Sequence, residues 1–294
     1  MVAEIARDVQ NEAPLLPLII DRVGVKGVKR RVKIGELENP SFFDVEINAY
    51  VDLPRDRRGV HMSRIIEAIL DAVKDERVGE YKNLCEVLKH VGRGLLSRHP
   101  YSRRVEVEFK TMQYMNVDDD VEETVNVSFF LLLHRKGKVE WRIKVEVEGM
   151  TVCPCAQAVY SSLEKVEPTR GLSHTQRTRL SIDVKTFDRP ASVDWLVKAA
   201  LESFSSPVHS LLKRRREYEV VKSAFEKPRF IEDTVRRAFF LTVRKLVEEN
   251  FGPETEVEVV GESYESVHPF NAYASKKGTL REALKETSLE KPIS

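Results

Sequence analysis

Residues 150–157 read MTVCPCAQ, so two of the chain's three cysteines stand one residue apart around a proline. Thiols at that spacing can act as metal ligands, as a nucleophile, as a redox pair, or as two small core residues. If a strand runs through TVCPC, Cys153 and Cys155 share a face. Pro154 has no N–H and ends a ladder, and Ala156-Gln157-Ala158 can open a helix. A thiol at such a junction meets a helix N-terminus, which stabilises the thiolate. A disulfide across so short a loop needs a kink. The plain alternative is a pair of buried free cysteines.

Four further islands carry reactive side chains. In GLSHTQRTR, His174 lies in a hydroxyl-rich turn before a strand, among Arg170, Arg177 and Arg179. Hydroxyl, amide and guanidinium groups around a histidine suit phosphate or metal chemistry. In SYESVHPFNAYA, Glu265 and His268 can act together only through a turn, which Pro269 favours. GVHMSRI sets His61, Ser63 and Arg64 at a helix start, where an anion can be received or the residues simply cap the helix. KRRREYE at 213–219 carries Glu217 after four basic residues, and its plain reading is a solvated charged loop. Cys153, Cys155, His174, His268, Glu217 and Glu265 give two thiols, two histidines and two carboxylates without paired C-x-x-C motifs. That argues for an open mixed N/O/S site with room for water over a closed structural zinc site.

Around these islands, 294 residues at 41% hydrophobic suffice for one large or two modest domains. Lys and Arg number 48 and Asp and Glu 47, a net charge of 48 − 47 = +1. No global field therefore favours nucleic acid or an anionic membrane. The apolar stretch PLLPLII at 14–20 is too short to span a bilayer and lacks the marks of a signal peptide. Three cysteines do not make a disulfide framework, and the reading is a soluble cytoplasmic protein.

Period-two alternation predicts strands over 42–54, 103–109, 123–134, 139–149, 179–184 and 254–262. Helical spacing predicts helices from Ser63, which is the candidate cap, from Val193 and from Phe230. Half-wet strands of this kind suit antiparallel sheets with one covered face. The order strand, helices, strands occurs twice, with the break near Gly149. The expected division is an N-terminal unit with its arm over 1–149, a second unit over 150–275, and a peripheral tail over 276–294.

The stretches GVHMSR, VCPCAQ, LSHTQR, LLKRRREYEVV, KPRFIEDTVR and ESVHPFNAYA resemble, in order and over roughly residues 15–275, the GTP cyclohydrolases of type IB. The resemblance implies an α+β tunnelling fold (T-fold). Two tandem ββαα-type units would assemble into a barrel-forming homotetramer with active sites at subunit interfaces. It implies that Cys153 or Cys155 serves the metal and catalytic centre together with His174. It implies Cys153, His174, Glu217, Glu265 and His268 as metal-site residues, and Glu232 as the acid that anchors the purine. One carboxylate accepts both N1–H and the 2-amino group of guanine. Glu232 also stands at a helix start, where the dipole alone explains an acid. His61, Arg64, Gln176, Arg177 and the Lys213–Arg216 cluster are the implied substrate and triphosphate contacts. Phe270 replaces a histidine that bacterial members often carry, which leans to the archaeal subtype.

The implied reaction opens the imidazole ring of GTP at C8 with metal-activated water and loses C8 as formate. In the archaeal subtype the product is dihydroneopterin 2′,3′-cyclic phosphate; otherwise it is the triphosphate. Iron(II) is the implied metal, one per chain, with zinc or manganese permitted by the same ligands. A tunnelling-fold nitrile reductase acting on a deazapurine, or a non-catalytic purine-binding protein, are the competing readings. The His174, Glu217 and His268 set favours the cyclohydrolase.

Overall fold

The computed structural model describes residues 8–36, 38–74, 77, 79–118 and 121–287. The chain forms two compact units, Met1–Thr111 with Ser128–Trp141, and Met112–Val127 with Arg142–Ser294. Both mix helices with antiparallel strands, as the alternating segments require.

The strand order begins β1 (Ile20–Ile34), β2 (Ser41–Leu53), β3 (Arg104–Asp118), β4 (Val121–His134), of which β1, β2, residues 104–111 of β3 and residues 128–134 of β4 belong to the first unit. β1–β2 and β2–β3 are antiparallel. The register from Val45↔Thr111 to Val51↔Val105 puts Ile47, Ala49, Val105, Val107 and Phe109 on one buried face. Helices α1 (Met62–Ala72) and α2 (Leu84–Arg98) bury Ile65, Ile69, Val87, Leu88, Val91 and Leu95. Each such side chain contributes about 1.5–3 kcal/mol on burial. Helix α1 starts one residue before the expected Ser63 cap, and His61 stands at its N-cap without a side-chain capping bond.

In the second unit the order is β5 (Val139–Val152, from residue 142 onward), β6 (Thr175–Thr186), β8 (Glu256–Tyr264), β9 (Ala272–Thr279), with the two-residue β7 (Ser206–Pro207) on β5. Helices α3 (Pro154–Glu164), α4 (Val193–Leu201), α5 (Arg214–Glu226), α6 (Ile231–Glu248) and α7 (Leu280–Thr287) complete it. The buried face of α6, with Ile231, Val235 and Phe239, lies on β8 at Gly261, where a Cβ would come within 2.6 Å of Ile231 Cδ1. Only a residue without a side chain allows that approach.

Two segments differ from expectation. KRRREYE is not a loop but the start of α5. Through Thr287 the stretch from Lys276 is the end of β9 and all of α7, because Leu280 and Ala283 are buried. Residues 1–7 of the arm and 288–294 of the tail lie outside the described residues. No described helix is long and apolar enough to cross a membrane.

Candidate active site

β5 ends at Val152, and α3 opens at Pro154 with Cys153 as its N-cap. Proline suits the first helical position because its missing N–H would have no partner there. The half-buried Cys153 Sγ accepts a 3.5 Å hydrogen bond from Ala156 N–H. Because the strand stops before Cys153, the two cysteines do not share a strand face. Cys155 points to solvent from the first turn of α3, and all three thiols are free.

Cys153 is tied to His174 through the main chain: its N–H donates to His174 O at 3.2 Å. Ser173 Oγ donates to Cys153 O at 2.6 Å. His174 just precedes β6, and its side chain meets residues from the end of β8. The β6–β8 register runs up to Arg177↔Tyr264, so the chain leaving β8 passes beside the start of β6. There it bends, bringing both acid and histidine of ESVH to the same place. His174 Nδ1 lies 4.0 Å from Glu265 Oε2 and 3.5 Å from Ser266 Oγ. The His174 and His268 rings meet edge-on, with centroids 6.5 Å apart. Phe270 stacks on His268 at 5.2 Å and fixes its plane. Glu265 Oε1 accepts from Ser263 Oγ at 3.1 Å, which leaves its other oxygen toward His174.

Donor types at this corner, one thiol, two imidazoles and one carboxylate, suit a divalent transition metal. They are not closed around a point: among the described residues no group of three His, Cys, Asp or Glu is placed to hold an ion. Glu217 is exposed in the first turn of α5, and no contact joins it to His174.

Of the expected substrate contacts, Gln176 is buried on β6, and its Oε1 has no hydrogen-bond partner. Arg177 faces the opposite way, exposed, with Nη1 3.7 Å from Glu148. Glu232 is exposed in the first turn of α6. His61 and Arg64 belong to the first unit. His61 Nε2 lies 3.1 Å from Asp8, and Arg64 N–H donates to His61 O. Ser173 and Ser266 join the site without a reactive type to mark them, the sole signal in the sequence being that they adjoin His174 and Glu265. Gln157, two residues after Cys155, is likewise unmarked by type; its Nε2 donates to Phe225 O at 2.9 Å and ties α3 to the end of α5.

The sequence profile of type I GTP cyclohydrolase folE2 matches residues 6–274. The chain belongs to the type I GTP cyclohydrolase folE2 family. The enzyme is 36% identical over 280 residues to GTP cyclohydrolase MptA of Aeropyrum pernix, covering 94% of this chain and 96% of that one. It is 34% identical over 310 residues to GTP cyclohydrolase MptA of Methanobrevibacter smithii, covering 95% and 97%. A uricase from Bacillus fastidious overlays with a TM-score of 0.49 at 10% identity, over 91% of this chain and 96% of that one, a likeness too slight to argue from. GTP cyclohydrolase activity, with GTP as substrate, follows from membership of the family.

Proposed function

We propose that the enzyme opens the guanine imidazole ring of GTP at C8, at the corner formed by Cys153, His174, Glu265 and His268. Formate leaves, and the product is 7,8-dihydroneopterin 2′,3′-cyclic phosphate, in the first step of pterin synthesis. The observation that carries the reading is the convergence of Glu265 and His268 on His174, with Cys153 bonded to the same residue.

Cys153, His174, Glu265 and His268 would hold a divalent metal, iron(II) by preference, with Glu217 as a further ligand if α5 is brought to them. Such an ion supplies Lewis acidity that makes water nucleophilic at neutral pH. Cys153 and His174 then move protons at C8 and at the ring nitrogens. Glu232 accepts both donors on the guanine edge, and the unpaired Gln176 Oε1 accepts a further one. The basic start of α5, Lys213 to Arg216, compensates the triphosphate. Family membership supports a tunnelling fold that assembles as a homotetramer.

The test is formate release with product analysis. Wild-type enzyme with iron(II) should yield one formate per GTP consumed, with pyrophosphate and a cyclic phosphate seen by phosphorus NMR. Cys153→Ala and His174→Ala should abolish formate release. Normal turnover in either variant would remove that residue from the chemistry.

A further inference from the structure

Arg229 stands three residues before Glu232 and takes no part in the chemistry above. Its half-buried guanidinium donates from Nη1 to two main-chain carbonyls, Glu202 O at 2.8 Å and Phe204 O at 2.7 Å. Glu202 is the C-cap of α4, so the cation sits at the negative end of that helix, where it is favoured. Arg237 Nε donates to the same Glu202 O at 2.9 Å. Burial and the neighbouring Arg237 both push the Arg229 guanidinium down from its ordinary value. A cation is held here at some cost, which calls for a reason.

The backbone of the same residue supplies one. Arg229 N–H donates to Val152 O at 2.9 Å, and Val152 N–H donates to Ser205 Oγ at 3.2 Å. Val152 is the last residue of β5, directly before Cys153. Its N–H is thus held by the segment after α4 and its carbonyl by Arg229, whose side chain grips that same segment. Phe230, the next residue, is the N-cap of α6, where Asp233 accepts from its N–H at 3.2 Å. One residue therefore joins the strand end that carries Cys153, the helix start that carries Glu232, and the C-terminus of α4.

We infer that Arg229 is a positioning residue that sets the distance between Cys153 and the Glu232 anchor, and so places C8 of the bound purine against the thiol. The inference rests on the roles given to Cys153 and Glu232 above. Loss of the side chain keeps the main-chain bond to Val152 O but removes the two bonds that brace this junction on the end of α4, so the spacing loosens. An error of about 1 Å between reacting groups costs up to about a hundredfold in rate.

The experiment compares Arg229→Met, Arg229→Gln and Arg229→Lys in the metal-loaded enzyme, reading kcat and KM for formate release beside circular dichroism. Both side-chain bonds leave from one nitrogen, so a lysine ammonium can restore them. The expected result for Arg229→Met is a fall in kcat of about ten- to a hundredfold with KM within about twofold, and recovery of most of the rate by Arg229→Lys. Wild-type kcat in a folded Arg229→Met, or a change carried by KM alone, overturns the inference. Should Arg229→Met fail to fold, a kcat order of Lys above Gln at constant KM supports it, and equal wild-type rates overturn it. Cys153→Ala is the parallel control. Full turnover there defeats the catalytic reading of Cys153, whereas an inactive Cys153→Ala with an indifferent Arg229→Met defeats only the positioning role.

Discussion

Glu232 offers a free carboxylate to solvent from the first turn of α6. A carboxylate accepts both donors on the guanine edge, whereas an amide meets one of them with an N–H. Glu232→Gln should therefore weaken GTP binding by about 1–3 kcal/mol and leave metal content unchanged. Calorimetric affinity beside elemental analysis checks this, and joint loss of both would make Glu232 structural. The three thiols should also be told apart by chemistry. Burial, with a smaller push from Glu86, drives the Cys85 thiol up to about 12, so its thiolate is scarce at neutral pH. Cys155, exposed on α3, should be alkylated first in the native enzyme, and Cys85 only on unfolding. Peptide mass spectrometry against time reads the order. Rapid labelling of Cys85 in folded protein would contradict it.

At the scale of elements, the joint between β2 and β3 depends on one buried acid. Asp52 Oδ1 accepts from Ser102 Oγ at 2.6 Å, Arg103 N–H at 2.8 Å and Arg104 N–H at 3.0 Å, and Oδ2 accepts from Arg103 Nε at 3.0 Å. Burial acts to raise its pKa, but these hydrogen bonds outweigh it and hold the carboxyl below its ordinary value of 3.8. The folded value being the lower one, the stabilisation is complete above the unfolded value. It is lost as pH falls through the folded value. Asp52→Asn should cost about 1–3 kcal/mol at neutral pH and flatten the decline in stability below pH about 4. Urea unfolding across that range measures both, and an unchanged acid limb would show that other carboxylates govern it. α5 illustrates the opposite case, an element that only its context holds. Ala224 is its single buried residue, and Gln157 ties down its end at Phe225 O.

For the whole molecule, the expectation is about one divalent metal per chain at a water-accessible site. Anaerobically prepared enzyme should contain it, a chelator should stop formate release, and iron(II) should restore it. Full turnover of metal-free protein would defeat the proposal. Air should lower activity, with recovery under a thiol reductant, because oxidation of Cys153 would remove the donor and proton carrier proposed above.

Much of this protein is written locally. Alternation such as Val139, Trp141, Ile143, Val145 and Val147 against charged neighbours makes a half-wet strand wherever it occurs. Pro154 stops β5 and starts α3 on its own chemistry. The stretches around CPC, SHTQR and ESVH were likewise legible, since reactive types crowd into short polar islands. α5 was not, because it opens on a run of basic residues that suits a solvated loop equally well, and neither was the ordered end of the chain, whose helix α7 is short and mostly polar. Which islands meet was decided only in three dimensions. His174 finds Glu265 and His268, some ninety residues away, because the β6–β8 register delivers the turn after Tyr264 to the start of β6. Whether Glu217 joins them, and which face Arg177 takes, depend likewise on the packing of α5 and on strand register. Register and packing are properties of paired segments, and no single segment contains them.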